Sequence, residues 1–305
     1  MLNVSPRDLP QKERGTAISQ SVFQTVAYAD VFDYPLTASE VYRYLTPPTG
    51  SFEDVIQVLT DEVLFTRVGD YFALRGREEI VETRRRRAKV AARLWVKASR
   101  YGRILASLPF VRMVSVTGSL AMNNADEGKD VDYMLVTHPK RLWTSRALSL
   151  LVARFARLEG VRICPNYLVT TNALRLSERS LYVAHELAQM IPLSGMEVYW
   201  EMLRLNGWIY DYLPNAVSPH ESLNSTERGN RQPLIQRILE RIFSLPFGDW
   251  LEKWEMDRKI KRLSQEQASS VESYFSADVC KGHIDRHGKR IVTALDVRLE
   301  KAKII

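Results

Sequence analysis

The sequence predicts an α+β protein with a helical amino-terminal region, a small central β-sheet and a helical carboxy-terminal region. Three observations predict this class. Apolar residues recur at helical spacing over long stretches towards both ends of the chain. Two alternating segments flank Gly69 and Asp70, a pattern typical of a tight hairpin. Three short apolar segments, each with the length and composition of a buried strand, lie between residues 111 and 171.

The composition is that of a globular protein, because the 305 residues are 45% hydrophobic and 26% charged, enough for about two domains. The first twenty residues are polar and lack the apolar core of a secretory signal. No apolar run approaches the roughly 20 residues of a membrane helix. The two cysteines, Cys164 and Cys280, are too few for a disulfide framework. We therefore expect a cytoplasmic protein with no membrane partner.

The amino-terminal region, residues 1–77, is expected to contain three helices followed by the hairpin. Thr37, with Glu40 three residues later, has the pattern of a capping box and begins the second helix. Ser51 can cap the third helix. Three helices followed by a hairpin resemble a winged helix, and a DNA-binding protein of that kind would place the third helix in the major groove.

The third helix does not have the charge that DNA binding needs. It carries no Lys or Arg, and its acidic residues are Glu53, Asp54, Asp61 and Glu62. DNA phosphates would repel such a surface. We therefore expect a winged-helix-like domain that contacts protein or serves as a scaffold.

The net formal charge is +7, and the positive charge is concentrated in one segment. Residues 1–75 contain more acidic than basic side chains, whereas residues 78–107 are strongly basic and include the consecutive arginines 84–87. Val90 and Leu94 begin an apolar stripe along this segment, which predicts a basic connecting helix. Its basic side chains form either a solvated face of the helix or a positively charged surface beside a site that handles polyphosphate or nucleic acid.

The rest of the chain divides into a central core, residues 108–175, and a helical carboxy-terminal region, residues 176–305. The core is expected to contain strands at 111–118, 130–137 and 161–171 and a helix at 141–160. The carboxy-terminal region is expected to contain helices at 177–193 and 195–213 and a helical tail from about residue 232, with breaks near Pro246 and within residues 280–289.

Residues 114–137, "VSVTGSLAMNNADEGKDVDYMLVT", contain the combination of residues that indicates chemistry. Strand side chains alternate, so Asp130 and Asp132 share one face while Val131 points into the core. Two carboxylates on one face repel unless cations compensate, and hard divalent ions prefer oxygen ligands. Such ions suit an in-line displacement at phosphorus. Gly118 allows a close backbone approach to a ligand, and the N–H groups and hydroxyl at Ser119 suit a phosphate.

This arrangement resembles the DNA polymerase β-like nucleotidyltransferase superfamily, in which an apolar strand ends in Gly-Ser and the next strand carries Asp-x-Asp. The resemblance covers residues 110–170, about a fifth of the chain. It implies a small mixed β-sheet core and a nucleoside triphosphate bound by Gly118 and Ser119. It also implies Mg²⁺ held by Asp130 and Asp132, with two ions expected and Mn²⁺ as an alternative.

Many members of the superfamily have a third acid on a following strand, and this sequence has Asn166 there. An amide can ligate weakly or hydrogen-bond a substrate, but it cannot accept a proton from a hydroxyl. Glu186 is the candidate for a replacement base, and the alternative for this residue is a charge on a helix surface. For Asn166 the alternative is a satisfied polar residue at a strand edge.

A second polar cluster lies near the carboxy terminus and contains Cys280, Lys281, His283, Asp285 and His287. Lys281 and His283 are candidates for contacts with a nucleotide phosphate. Part of a zinc site is an alternative, although no fourth ligand is evident from the sequence. The simplest alternative is the exposed basic start of a helix.

Three functions follow from these patterns. The first is a Mg²⁺-dependent nucleotidyltransferase that moves an NMP group from an NTP to a small-molecule, protein or RNA acceptor and releases pyrophosphate. The second is a non-catalytic nucleotide-binding regulator, which Asn166 in place of an acid favours. The third is a nucleic-acid-binding or RNA-modifying protein that uses the basic helix at residues 84–103, with the steep salt dependence of phosphate contacts. The first accounts for the most residues.

Overall fold

The computed structural model describes residues 11–216, 234–266, 274–282 and 287–302. These residues form a mixed α+β fold with a three-stranded and a six-stranded sheet. Within the described ranges, no helix combines the length and the apolar character that crossing a membrane requires.

The amino-terminal region has the three helices and the hairpin that the sequence predicts. The predicted capping box at Thr37 and the predicted cap at Ser51 are confirmed, because their side chains accept hydrogen bonds from the backbone N–H groups of Glu40 and Asp54. The strands form an antiparallel sheet in the order β1–β3–β2. The elements are α1 (Gln11–Asp30), β1 (Leu36–Thr37), α2 (Ala38–Arg43), α3 (Phe52–Leu59), β2 (Phe65–Val68) and β3 (Tyr71–Leu74).

The predicted basic helix is present as α4 (Ile80–Ala106). Ala91, Ala98 and Leu105 face the central sheet and are completely buried. The helix is therefore a packed component of the core on one side, with its arginines distributed over the remaining surface.

The six-stranded sheet is mixed. Its order is β7–β4–β5–β6–β9–β8, and the β5–β6 pair is parallel while the other pairs are antiparallel. The strands are β4 (Val111–Thr117), β5 (Val131–Thr137), β6 (Ile163–Thr170), β7 (Ile191–Ser194), β8 (Tyr274–Phe275) and β9 (Val279–Lys281).

Alternation along β5 assigns its side chains to two different layers. The remaining helices are α5 (Gly118–Ala121), α6 (Leu142–Leu158), α7 (Leu181–Gln189), α8 (Met196–Leu205), α9 (Ile209–Tyr212), α10 (Leu234–Phe243), α11 (Pro246–Glu266) and α12 (His287–Ala302). Val131, Tyr133 and Leu135 pack in one apolar cluster with α4, α6 and α11. Met134 and Val136 pack in another cluster with α7 and α8.

The carboxy-terminal region differs from the helical region that the sequence predicts. The helix expected to run to residue 193 ends at Gln189, and the following residues form β7, which pairs with β4 at the edge of the sheet. Pro192 explains the change, since proline breaks a helix but is tolerated in an edge strand. Two more short strands, β8 and β9, extend the opposite edge of the sheet.

Candidate functional site

The two halves of the Gly-Ser and Asp-x-Asp pattern meet in space. Antiparallel pairing of β4 with β5 places Thr117 directly opposite Asp132. Gly118 follows Thr117 with φ +64°, a left-handed conformation that favours glycine. A Cβ atom on Gly118 would lie 2.9 Å from Oδ2 of Asp132. Only a glycine therefore lets this turn pass so close to the carboxylate.

The four residues of the pattern, Gly118, Ser119, Asp130 and Asp132, line one cavity of about 850 Å³, which we call the motif cleft. Asp130 precedes β5 and lies near the mouth of the cleft, where its Oδ1 is 2.9 Å from Nε of Arg162. The sequence placed these residues in one site, and the structure brings them together around one opening.

Asp132 carries an unfavourable charge in this cleft. Burial, and then the negative charge of Asp130, raise its pKa to about 7, and the positive charge of Lys129 offsets part of the increase. A cation or a neutralising ligand at this position would lower the pKa again. The electrostatics are those of a carboxylate whose charge is not balanced by the protein alone.

Asn166 contacts Asp132 directly. The register between β5 and β6 shifts between Tyr133 and Met134, and Asn166 is the extra residue of this bulge. Its Nδ2 donates a hydrogen bond to Oδ1 of Asp132 at 3.0 Å. The bulge thus brings Asn166 to the aspartate and leaves no acid at this position of the strand.

Glu186 lies on α7, and its charge interacts with that of Asp132. It lines the cleft and is partly buried. Burial, and then the charge of Asp132, raise its pKa to about 7, while Lys281 lowers it. Glu186 is therefore not simply a charge on an exposed helix surface, the alternative that the sequence left open.

A second cavity of about 880 Å³ adjoins the motif cleft. Thr117, Asn166, Tyr182 and Glu186 line both, so these four residues form a shared wall. Lys281 belongs to the second cavity.

Lys281 does not join Gly118 and Ser119, as a contact with the same phosphates would require. Its ammonium group forms an ion pair with Glu178 and lies 5.9 Å from the centre of the Tyr167 ring. Lys281 is the last residue of β9, which places it at the second cavity instead. The other candidate of this cluster, His283, lies outside the described residues.

The amino-terminal region forms one side of the motif cleft, which the sequence did not predict. Tyr34 donates a hydrogen bond to the backbone oxygen of Met122 at 2.9 Å. Tyr28 stacks on His185 of α7 with ring centres 4.0 Å apart. Burial lowers the pKa of His185 to about 4, so this ring is neutral at pH 7. These contacts depend on tertiary packing, so no local sequence pattern could have predicted them.

The arginines of α4 hold this arrangement together. Arg84 forms two hydrogen bonds of 2.7 Å to the carboxylate of Glu40. Arg87 pairs with Asp126 at 2.9 Å and donates to the backbone oxygen of Phe32 at 2.9 Å. Arg84 and Arg87 are therefore engaged by the protein itself. The other basic side chains of α4 remain exposed on the helix surface, namely Arg85, Arg86, Lys89, Arg93, Lys97, Arg100 and Arg103.

The donor set at the motif cleft fits Mg²⁺. In the parts of the chain that the structure describes, no three His, Cys, Asp or Glu side chains converge on one point as metal ligands. Mg²⁺ does not need such a cage, because it is usually held by one or two carboxylates, waters and substrate phosphates. Asp130 and Asp132 supply the carboxylates, and the raised pKa of Asp132 indicates a charge that a cation would balance.

Comparison with known proteins does not identify the chain. No family model and no curated protein matches it. Among solved structures, one described as "Crystal structure of the toxin-antitoxin with AMP-PNP" is similar with 12% identity, over 37% of this chain and 89% of that chain, at a TM-score of 0.26. An overlap this low carries no argument about fold or ligand, so the site is interpreted from its own residues.

Proposed function

We propose that the chain is a Mg²⁺-dependent nucleotidyltransferase that transfers an NMP group from an NTP to a hydroxyl acceptor. The observation that carries the proposal is the contact between the Gly-Ser turn and Asp132, with only 2.9 Å between Oδ2 and the position of a Cβ on Gly118. A turn that can bind phosphate and a carboxylate that can hold a cation thus lie at the same point.

Asp130 and Asp132 are the residues that would hold Mg²⁺, which when bound neutralises phosphate charge and orients the reacting oxygens. Asn166 fixes the orientation of Asp132 through the hydrogen bond to Oδ1. Its amide also stabilises the ionised form of that carboxylate. Asn166 in this proposal is a positioning residue and not a proton acceptor.

The triphosphate is bound at the turn. Gly118 lets the backbone approach the phosphates, and the Ser119 hydroxyl donates a hydrogen bond to a phosphate oxygen. Arg162 and Lys129 line the same cleft and add positive charge near its mouth. These groups orient the α-phosphorus without any change of covalent structure in the protein.

Glu186 is the proposed general base. It lines the same cleft as Asp132, and its raised pKa of about 7 suits proton transfer near neutral pH. It therefore takes the place of the strand acid that Asn166 replaces. The winged-helix-like amino-terminal region closes the cleft from one side and in this proposal contacts protein, since its third helix is acidic.

The test is Mg²⁺-dependent release of pyrophosphate from each of the four NTPs, with a screen of hydroxyl acceptors. We expect Asp130→Ala and Asp132→Ala to lower the rate at least about 10²-fold, the order of loss seen when a group that stabilises the transition state is removed. Asp257→Ala, an exposed acid on α11, is the matched control and should retain the rate. Turnover that survives in both cleft variants would show the assignment to be wrong.

A non-catalytic nucleotide-binding regulator is the second candidate, because Asn166 occupies the position of an acid. That function predicts NTP binding by calorimetry with no transfer to any acceptor. The two candidates differ in whether the wild type transfers at all. In the enzyme, Glu186→Gln should abolish transfer and leave nucleotide affinity unchanged.

A further inference from the structure

The second cavity differs in chemistry from the motif cleft. Leu176, Val183 and Leu187 supply apolar walls, and the rings of Tyr167 and Tyr274 supply aromatic ones. None of the residues of the Gly-Ser and Asp-x-Asp pattern lines it. The cavity therefore lacks the turn and the aspartate pair of the motif cleft. It has basic side chains at Arg175, Lys281 and Lys289, and its apolar and aromatic walls offer an environment for an apolar body.

The position of the second cavity relates it to the reaction. Its shared wall with the motif cleft contains Asn166, which donates a hydrogen bond to Asp132, and Glu186, which lines both cavities. A molecule in the second cavity can thus present one group to Glu186 while the nucleotide occupies the motif cleft. The volume of about 880 Å³ is in the range of sites for small organic ligands.

We propose that the second cavity is the acceptor site and that the acceptor is a small alcohol with an apolar or aromatic body. The inference rests on the proposed nucleotidyltransferase function and extends it to the class of the second substrate. A nucleic acid is not favoured, because Arg175, Lys281 and Lys289 share the walls with Glu178, Glu186 and many apolar side chains. Lys281 is moreover paired with Glu178, so the basic residues do not form a continuous track for a phosphate backbone.

The reaction at the shared wall is balanced as follows. The hydroxyl oxygen of the acceptor forms a bond to the α-phosphorus of the NTP, and Glu186 accepts the hydroxyl proton. The bond between the α-phosphorus and the bridging oxygen breaks, and pyrophosphate leaves with the bonding electron pair. The products are an NMP ester of the alcohol and pyrophosphate, with no oxidant or reductant involved.

The test blocks the second cavity without touching the motif cleft. Thr293 lies on the exposed part of α12 and lines only the second cavity, so Thr293→Trp fills it. Ser177→Trp fills the cavity from an exposed loop on another side. Val297→Trp, one turn further along α12 and outside both cavities, is the matched control. Thermal unfolding confirms that each variant is folded.

The measurement uses α-³²P-labelled NTP and Mg²⁺ with 2-phenylethanol, 4-methylbenzyl alcohol and 1-hexanol as probes, and separates the NMP ester from the NMP that water produces. We expect esters with the wild type and with Val297→Trp. Both filled variants should give at least about tenfold less ester, a loss of about 1.4 kcal/mol, with unchanged affinity for a nonhydrolysable NTP.

Equal ester yields in the wild type and both filled variants would overturn the assignment of the cavity. Formation of NMP by water with no ester from any probe would overturn the class of acceptor. If the wild type releases neither NMP nor pyrophosphate, the proposed function itself fails, which is a different result from the other two. Ester formation that depends on the open cavity is the outcome that supports the inference.

Discussion

Glu40 in the amino-terminal region and Asp132 in the motif cleft are both partly buried carboxylates, but their pKa values are shifted in opposite directions. Burial would raise both. For Glu40, burial is opposed by the hydrogen bonds and charge of Arg84 together with hydrogen bonds from Thr37, and the pKa is lowered. For Asp132, the charge of Asp130 adds to burial, and the pKa rises to about 7.

The difference separates structural charges from functional ones. The Glu40–Arg84 pair is satisfied by the protein and ties α2 to α4. Asp132 has a hydrogen bond from Asn166 but also a like charge nearby, so part of its charge is left for a ligand to balance. A strongly perturbed carboxylate in a cleft is a reason to look for a binding partner, whereas a well-paired one is not.

The largest expected effect comes from Gly118→Ala, which alters the turn at the functional carboxylate. The new Cβ would meet Oδ2 of Asp132 at 2.9 Å, and φ +64° would be strained. We expect transfer to fall about 10²-fold, the effect of a misplacement of about 1 Å. Gly76→Ala is the control, since Gly76 has φ +79° and nothing within 4 Å of a Cβ. Gly76→Ala should lose some stability and no activity. Equal activity in the two variants would show that the turn at Gly118 does not take part in the site.

The next effect concerns the structural pair. Arg84→Ala leaves the carboxylate of Glu40 without its main partner and removes the guanidinium group that lies 4.1 Å from the centre of the Tyr34 ring. We expect the free energy of unfolding in urea to fall by about 3 kcal/mol. Arg85→Ala is the control: Arg85 is half exposed, its pair with Glu82 is 3.6 Å long, and the loss should stay below about 0.5 kcal/mol. Similar losses in the two variants would mean that the Arg84 pair is not structural.

Asp132→Asn is expected to change stability by a smaller amount than Arg84→Ala and in the opposite direction, towards higher stability. The pKa of Asp132 is raised from its ordinary value of 3.8 to about 7, so its ionisation destabilises the fold. That penalty is absent below pH 3.8, grows as the pH rises to about 7, and is complete above it. The variant, whose amide oxygen can still accept from Asn166, should be more stable than the wild type by about 2 kcal/mol at pH 8, allowing for solvent screening at the cleft.

Thermal unfolding at pH 4 and pH 8 measures this difference, which should nearly vanish at the lower pH. A stability gain that is independent of pH would assign the effect to packing and not to charge.

The smallest effect is expected for nucleic acid. Arg85→Ala with Arg86→Ala removes two of the consecutive arginines, but Arg86 already lies 3.4 Å from Asp126. We expect weak binding of a single-stranded RNA oligonucleotide by fluorescence anisotropy, with a salt slope that changes by less than about one unit in the variant. A steep slope that the double variant abolishes would restore the nucleic-acid-binding hypothesis.

Local patterns were sufficient to predict several elements. The helix caps at Thr37 and Ser51 depend on residues three positions apart, so the sequence alone specifies them. Strand alternation also placed Val131 in the core and left Asp132 on the opposite face. In each case the physical cause acts over a few residues.

Contacts between distant segments could not be predicted in the same way. The edge strand β7 is four residues long and has no alternating pattern, and β9 has only three residues. The position of Glu186 in the motif cleft depends on how α7 packs on the sheet, and the shared wall between the cavities depends on the bulge at Asn166. The periodicity of apolar residues along the sequence contains no information about the position of Glu186 or about the shared wall.

The most direct test of the account is the pKa of Asp132 itself. The carboxyl carbons of Asp can be labelled with ¹³C and followed by NMR against pH, with Asp132→Asn to assign the signal. We expect a pKa of about 7 in the free protein, and a decrease to below about 5 when Mg²⁺ and a nonhydrolysable NTP are added. A pKa near the ordinary value, unchanged by Mg²⁺ and the nucleotide, would mean that Asp132 does not hold a cation in this cleft.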